Sequence, residues 1–241
     1  MPKLWNLYAT CYDAITGLLP YQEMLDEVVA SLALAPGMRV LDAGCGTGAL
    51  AERLATLCPD IEYVGVDLSS AMLARARARR AWPPSFTFVE QTIEQALAAD
   101  TAGFDRVASV NVIWTHPDPQ RTVTKMAAGL RPGGRMVHST PGFRVRAHTI
   151  VWRHLRSRKG WALGRALLGL PVLLFAGLVN LLLVAQSVFL ARAPRARRRW
   201  EKDGLLEMMR EAGTEPLSVR PCYAGQGHLL VCEKQAAKGS G

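Results

Sequence analysis

Between residues 22 and 34 the apolar positions recur at helical spacing, with Met24, Leu25, Val28, Val29 and Leu32 on one face. Ala35-Pro36-Gly37 breaks that pattern. A regular alternation follows. Short apolar runs over 38–42, 63–67, 86–90, 106–111 and 134–139 predict five strands, and the stretches 48–57, 70–80, 92–98 and 118–129 predict the helices between them. Strands separated by helices of about ten residues predict βαβ units and a parallel sheet. After residue 141 the alternation stops for some sixty residues. It resumes with a helix over 203–212, closed by Gly213, and with strands over 216–222 and 227–233. Ala224-Gly225-Gln226-Gly227 joins those two strands into an expected hairpin.

The chemistry concentrates where strands end. Val40-Leu41-Asp42-Ala43-Gly44-Cys45-Gly46-Thr47-Gly48 begins on a buried strand and opens a helix. Its glycines permit a sharp turn and a close approach of ligand to backbone. A GxGxG alone marks only a tight turn, but here an acid stands two positions before it. The spacing falls one residue short of the dinucleotide fingerprint GxGxxG. The next strand ends Val64-Gly65-Val66-Asp67, and a carboxylate there can accept from the two hydroxyls of a ribose. Taken alone, Asp67 reads equally well as a helix cap.

These residues carry a resemblance. LDAGCGTG, VGVDLSSAML and LRPGG before the fifth strand are similar to the class I S-adenosylmethionine (SAM) dependent methyltransferases, in the broad group that includes ubiquinone and menaquinone methyltransferases. The match covers about 38–141 and 201–233. It implies an α/β Rossmann-like fold: a seven-stranded, mostly parallel sheet with its last strand antiparallel, and helices on both faces. It also implies SAM as cofactor. Asp42, Gly44, Cys45, Gly46 and Gly48 would line the methionine part, Asp67 the ribose, and Leu68 and Met72 the adenine. Gln91, beside Thr92, stands where many relatives carry an Asp for the adenine amino group. Asn111 would lie near the sulfonium. Candidate bases or acceptor contacts are His116, His138, Tyr8 and Tyr12. The two tyrosines sit with Trp5 at helical spacing in an N-terminal cap expected over 1–34.

Charge changes the picture at one place. The chain is formally +9, yet 142–200 holds twelve of the 29 basic residues and no acidic one, so the rest is slightly acidic. Within that segment, 166–191 runs for 26 residues without a charge, longer than the roughly 20 needed to cross a bilayer. The sheet has to be completed after it, so a single crossing is excluded. A re-entrant or flat-lying helical insertion between strand five and the last helix is expected, broken at Pro171, Gly177 or Asn180. Arginines on both sides predict membrane lipids as partners and a location on the cytoplasmic face.

The expected organisation is therefore a methyltransferase domain over 35–141 and 201–235, a membrane-associating insertion over 142–200, and a flexible tail over 236–241. The expected acceptor is lipid-like: an aminolipid headgroup, a quinone or isoprenoid, or a fatty-acyl chain. Nucleic acid is not an expected partner, although an RNA or soluble acceptor is the alternative enzyme reading, and a non-catalytic membrane scaffold is a third. Five cysteines with no metal-ligand spacing point to a reduced setting and to no bound metal. The first twenty residues lack a continuous apolar stretch and do not read as a secretory leader.

Overall fold

The computed structural model describes residues 2–142, 146–157 and 200–235. Two helices, α1 (Pro2–Thr16) and α2 (Leu19–Leu32), precede β1 (Arg39–Ala43). Then come α3 (Ala49–Leu57), β2 (Glu62–Asp67), α4 (Ser70–Ala78), β3 (Phe86–Glu90), α5 (Ile93–Ala99) and β4 (Phe104–Val110). A short 3₁₀ turn (Ile113–Thr115), α6 (Pro119–Ala128) and β5 (Leu130–Pro141) follow. The remaining described elements are α7 (Ala147–Arg156), α8 (Lys202–Glu211), β6 (Thr214–Cys222) and β7 (Gly227–Lys234).

The strands form one sheet of seven in the order β3-β2-β1-β4-β5-β7-β6. β7 runs antiparallel to both β5 and β6, and the other pairings are parallel. This is the fold class expected from the alternation and from the implied antiparallel last strand. Successive side chains point to opposite faces. Val40, Ala108, Val110 and Val137 join α2 and α3 in one core, while Leu41, Val107, Met136 and Leu230 join α5, α6 and α8 in the other. Leu41, Leu54, Val107, Met126 and Leu230 are wholly buried. Each contributes about 1.5–3 kcal/mol by leaving water.

Several boundaries differ from the sequence pattern. α2 starts at Leu19, with Pro20 in its first turn where a missing N–H costs nothing. β5 begins at Leu130 rather than at 134. Leu130 pairs with Phe104 before the Pro132-Gly133 irregularity, and Arg135 pairs with Arg106 after it. α7 lies in the stretch after residue 141 where the alternation stops and the pattern names no separate element. The expected uncharged insertion at 166–191, the tail at 236–241 and most of 142–200 lie outside the described residues. Among the described residues no helix is long and apolar enough to cross a membrane.

The C-terminal end of α2 is held by arginines from the strands. Arg106 donates to the carbonyls of Leu32 and Ala33, Arg135 to that of Ser31, and Arg220 to the Ser31 hydroxyl. These cations satisfy orphan helix carbonyls and complement the negative end of the helix dipole. With that end anchored at the start of the strands, the other end, bearing Tyr21, is carried to where the parallel strands finish.

Candidate functional site

The carboxyl ends of β1, β2 and β4 meet beneath α1 and the start of α2. Gly44 and Cys45 both donate backbone N–H bonds to the Val66 carbonyl (2.8 and 2.9 Å), which lays the glycine turn against β2. Gly44, Gly46 and Gly48 have φ of 80°, 55° and 79°, a region open to glycine and strained for other residues. Their surroundings separate their roles. A Cβ on Gly44 would stand 2.5 Å from a Val112 methyl, and one on Gly48 would stand 3.2 Å from Ala76. Both make room for neighbouring protein. A Cβ on Gly46 would meet only the edge of the Tyr12 ring, at 3.5 Å, so this glycine clears the space under α1.

Asp67 accepts from Gly46 N–H (3.0 Å) and Ser69 N–H (2.8 Å). The cap of α4 is Ser69, whose hydroxyl accepts from Met72 N–H, so Asp67 is free of that duty. Burial raises the Asp67 carboxyl above its usual range, and the bonds from Ser69, Gly46 and Leu68 work against the rise. The side chain is only partly buried and keeps acceptor capacity on both oxygens.

Asp42 is deeply buried and receives the Tyr63 hydroxyl at 2.7 Å. Burial pushes its carboxyl up to about 7. The Tyr63 bond opposes the rise and the nearby Asp67 charge adds to it. Sequence reasoning missed Tyr63 and the residue that admits it. Gly65 lies opposite Asp42 in the β1–β2 register, and a Cβ there would stand 2.9 Å from the Tyr63 ring and hydroxyl. The phenol leans over Gly65 to reach Asp42. The signal was present in the alternation Tyr63-Val64-Gly65, with a glycine on the same strand face as a buried phenol.

α1 closes the site. Asp13 accepts from Thr47 Oγ1 of the glycine turn (2.7 Å) and is bridged by Arg79 and Arg75 of the α4 region. Asn6 accepts from Ser69 Oγ at 2.6 Å. Tyr12 exchanges a hydrogen bond with Tyr21 (3.1 Å), and both line a small cavity with Asp42, Gly44, Cys45 and Val110. Burial raises the Tyr12 hydroxyl to about 12 and the Tyr21 hydroxyl and Cys45 thiol well above their ordinary values. The rings continue outward: Tyr12 and Tyr21 are 6.5 Å apart edge-on, and Tyr21 and Tyr223 are 5.9 Å apart. Tyr223 sits in the β6–β7 turn, where Tyr223, Ala224 and Gly225 all have positive φ (53°, 57° and 74°). Two strained non-glycine residues in succession hold this ring inward.

The expected site residues separate into two groups. Asp42, Gly44, Cys45, Gly46, Asp67, Tyr12 and Asn111 come together around the strand ends. Asn111 adopts φ 57°, and its N–H meets the Ser139 carbonyl at 3.0 Å. Leu68 is 48% exposed on the open flank. Gln91 joins through its N–H to the Asp67 carbonyl (3.2 Å). Tyr8 and Met72, by contrast, are buried against each other with Ala9, Trp5 and Trp114, so the thioether is covered by α1. The Thr92 hydroxyl is taken by Gln95 N–H in a capping box that starts α5.

Two histidines stand apart from the cavity. His116 contacts the Thr122 hydroxyl (3.2 Å) on the α6 side, and burial lowers its basicity. His138 is inside β5 on the sheet face opposite Asp42; among the described residues its ring nitrogens meet no well-formed hydrogen bond, and burial lowers its pKa to about 4 against a weak opposing contact with the Ser109 backbone. Neither is placed to take a proton from an acceptor beside Asp42 and Tyr12.

Residues 40–134 match a family model described as a methyltransferase domain. The ubiquinone biosynthesis O-methyltransferase of Alkalilimnicola ehrlichii is 34% identical over 117 residues, 48% of this chain and 47% of that protein. Residues 40–134 form a methyltransferase domain. The chain spans about half the length of the curated relatives it matches. The fold recurs in the putative methyltransferase from the Haloferax volcanii complex with the Trm112 activator (TM-score 0.65, 16% identity, 96% of this chain and 97% of that one). It recurs again in magnesium protoporphyrin IX methyltransferase from Synechocystis PCC 6803 with bound SAM (TM-score 0.57, 17% identity, 90% and 81%). At such identity these two speak for the fold alone.

SAM is the cofactor that the motifs at 40–48 and 64–73 imply for such a domain. The space over Gly46 and the carboxyl groups at 42 and 67, once ionised, fit a ligand bearing ribose hydroxyls and a positively charged amino-acid end.

Proposed function

We propose that this chain transfers a methyl group from SAM to a small, lipid-like acceptor at a membrane surface. The observation that carries the first half is the joint placement of Gly46 and Asp67: one carboxylate oxygen grips the glycine turn while the group retains acceptor capacity for a sugar. Asp67 would hold the ribose, Asp42 and the 44–46 turn the methionine end, and Leu68 and Gln91 the adenine. When bound, SAM supplies a methyl group already activated on a sulfonium.

The protein's task is then to orient the acceptor and exclude water. Its side chains fit that task. Tyr12, Tyr21 and Val110 give a covered wall that sets apolar surface beside the phenol hydroxyls and Asp42. Tyr12 and Tyr21 hold their protons too tightly to act as bases near neutral pH. An acceptor that reacts without prior loss of a proton suits such a site.

The membrane half rests on the sequence of 142–200, whose arginines flank an uncharged run. The cytoplasmic face is the matching location. The lipid-like classes that fit are a quinone or isoprenoid ring, an aminolipid headgroup and an acyl chain. Incubating the purified full chain with radiolabelled SAM and total membrane lipid extract tests this: label should enter the organic phase. A second measurement separates the cofactor site from the acceptor. Two lost hydrogen bonds at about 1–1.5 kcal/mol each predict that Asp67→Ala weakens SAM binding roughly 100-fold. Unchanged affinity would remove the basis of the assignment, whereas label found only in water-soluble products would remove the lipid acceptor alone.

A further inference from the structure

The helix α7 was not foreseen, and neither the cofactor site nor the core explains its outer face. It packs onto the start of α2 by three contacts. Leu19 N–H donates to His154 Nδ1 (3.1 Å), Arg153 bridges Glu23 (2.9 Å), and Arg146 N–H donates to Gln226 Oε1 of the β6–β7 turn (2.8 Å). Ile150 faces inward and is buried. His148, Trp152, Arg153 and Arg156 face outward, and the helix contains no acidic residue.

Trp152 is 56% exposed, and the Arg156 guanidinium lies 4.7 Å over its ring. Among the described residues Arg156 meets no carboxylate. A single exposed apolar residue is ordinary on a soluble surface. An indole paired with an arginine on an acid-free helix is a more specific arrangement: an amphipathic ring and a spare cation presented on one side. Those groups match the headgroup zone of an anionic bilayer, where the ring enters the interface and the guanidinium meets phosphate. The chain beyond α7 enters the 26 uncharged residues starting at Ala166. The inner side of α7 meets α2 and the hairpin turn, where Tyr223 and Tyr21 begin the line of rings leading to Tyr12 and the glycine turn.

We propose that the outward face of α7, centred on Trp152 and Arg156, is a docking surface for an anionic lipid bilayer. This rests on the membrane reading above and names the residues that make contact. An RNA would also meet arginines, but it does not account for an exposed indole beside an uncharged continuation of the chain.

The test is flotation of the full chain with vesicles of phosphatidylcholine alone and of phosphatidylcholine and phosphatidylglycerol in equal parts. The double variant Trp152→Ala, Arg156→Glu is compared, with SAM affinity and melting temperature as controls because neither residue touches the cofactor site. Support is a roughly tenfold loss of partition onto the phosphatidylglycerol vesicles with both controls unchanged. Wild-type partition in the double variant overturns the α7 surface and leaves the membrane reading to residues 166–191. Failure of the wild-type chain to bind either vesicle overturns both. Salt-sensitive binding of a mixed-sequence RNA that the double variant loses, without vesicle binding, replaces the bilayer with nucleic acid. SAM affinity is measured separately, so none of these results bears on the cofactor assignment.

Discussion

Replacing Tyr63 by Phe tests how the site tunes Asp42. The hydroxyl donates to Asp42 Oδ2 at 2.7 Å in a buried setting and stabilises the ionised carboxylate. A hydrogen bond to a charged group is worth about 1.5–3 kcal/mol. At about 1.4 kcal/mol per pKa unit, losing it should move Asp42 from about 7 upward by roughly one to two units. If the carboxylate must be ionised to receive the cationic end of SAM, affinity rises with pH through the Asp42 pKa. In Tyr63→Phe that rise should shift upward, so that binding is roughly tenfold weaker at neutral pH and recovers in alkali. Isothermal titration calorimetry of SAM across neutral to alkaline pH, in buffers of different ionisation enthalpy, reads both the midpoint and the proton released on binding. Gly65→Ala should act in the same direction, since its Cβ would displace the phenol from 2.9 Å. The ligand-free protein should show the same titration in its stability. Asp42 keeps its proton in the folded state up to about 7, and the unfolded chain releases it near 4. Stability should therefore fall as pH rises through that window and be fully present below it. A Tyr63→Phe midpoint equal to that of the wild type would refute the reasoning.

The other predictions concern the glycine turn, the strand histidine and the N-terminal helix. Gly44→Ala combines a 2.5 Å clash with Val112 and a φ of 80°, whereas Gly37→Ala carries only the φ of 77°. Thermal melts should show about 1 kcal/mol lost at position 37 and two or three times that at 44. His138→Leu replaces a buried ring with no well-formed hydrogen bond among the described residues by an apolar side chain, so stability should hold or rise and turnover should persist. A catalytic histidine would instead cost orders of magnitude in kcat. Asp13→Asn and Thr47→Val each weaken the tie between α1 and the glycine turn, and stopped-flow should show SAM dissociating several-fold faster. Dissociation at the wild-type rate would mean that α1 does not gate the site.

Much of this was legible in the chain because the informative contacts are local. The turn from Asp42 to Gly48 and the acid at 67 depend on backbone that only glycine adopts and on strand ends that the period-two pattern marks. Their meeting follows from β1 and β2 lying side by side in register, with Asp42 opposite Gly65. The histidines could not be placed from the chain, for the opposite reason. His116 and His138 are chemically suggestive, but what they do depends on which side of the sheet they face, and at 138 that is settled by strand parity. Counting from Val137 in the Val40 core places His138 on the far face. Thr92 likewise read as a ligand contact until Gln95, three residues on, took its hydroxyl.

The residues that sequence reasoning could not find are joined across long separations. Tyr21 meets Tyr12 and Tyr223 only because three arginines from β4, β5 and β6 hold the far end of α2 and so fix where its first turn points. Asp13 reaches Thr47 only because α1 lies across the strand ends. No spacing rule connects residues 13, 47 and 79, or 21 and 223. The sheet supplies a general cofactor platform that many such domains share, and the chain's own chemistry lies in what is laid over it. The acceptor's nature should therefore follow from the α1–α2–α7 cover rather than from the glycine turn. Exchanging the Tyr12, Tyr21 and Tyr223 rings for alanine should alter acceptor KM far more than SAM affinity. Equal losses in both would place the acceptor elsewhere.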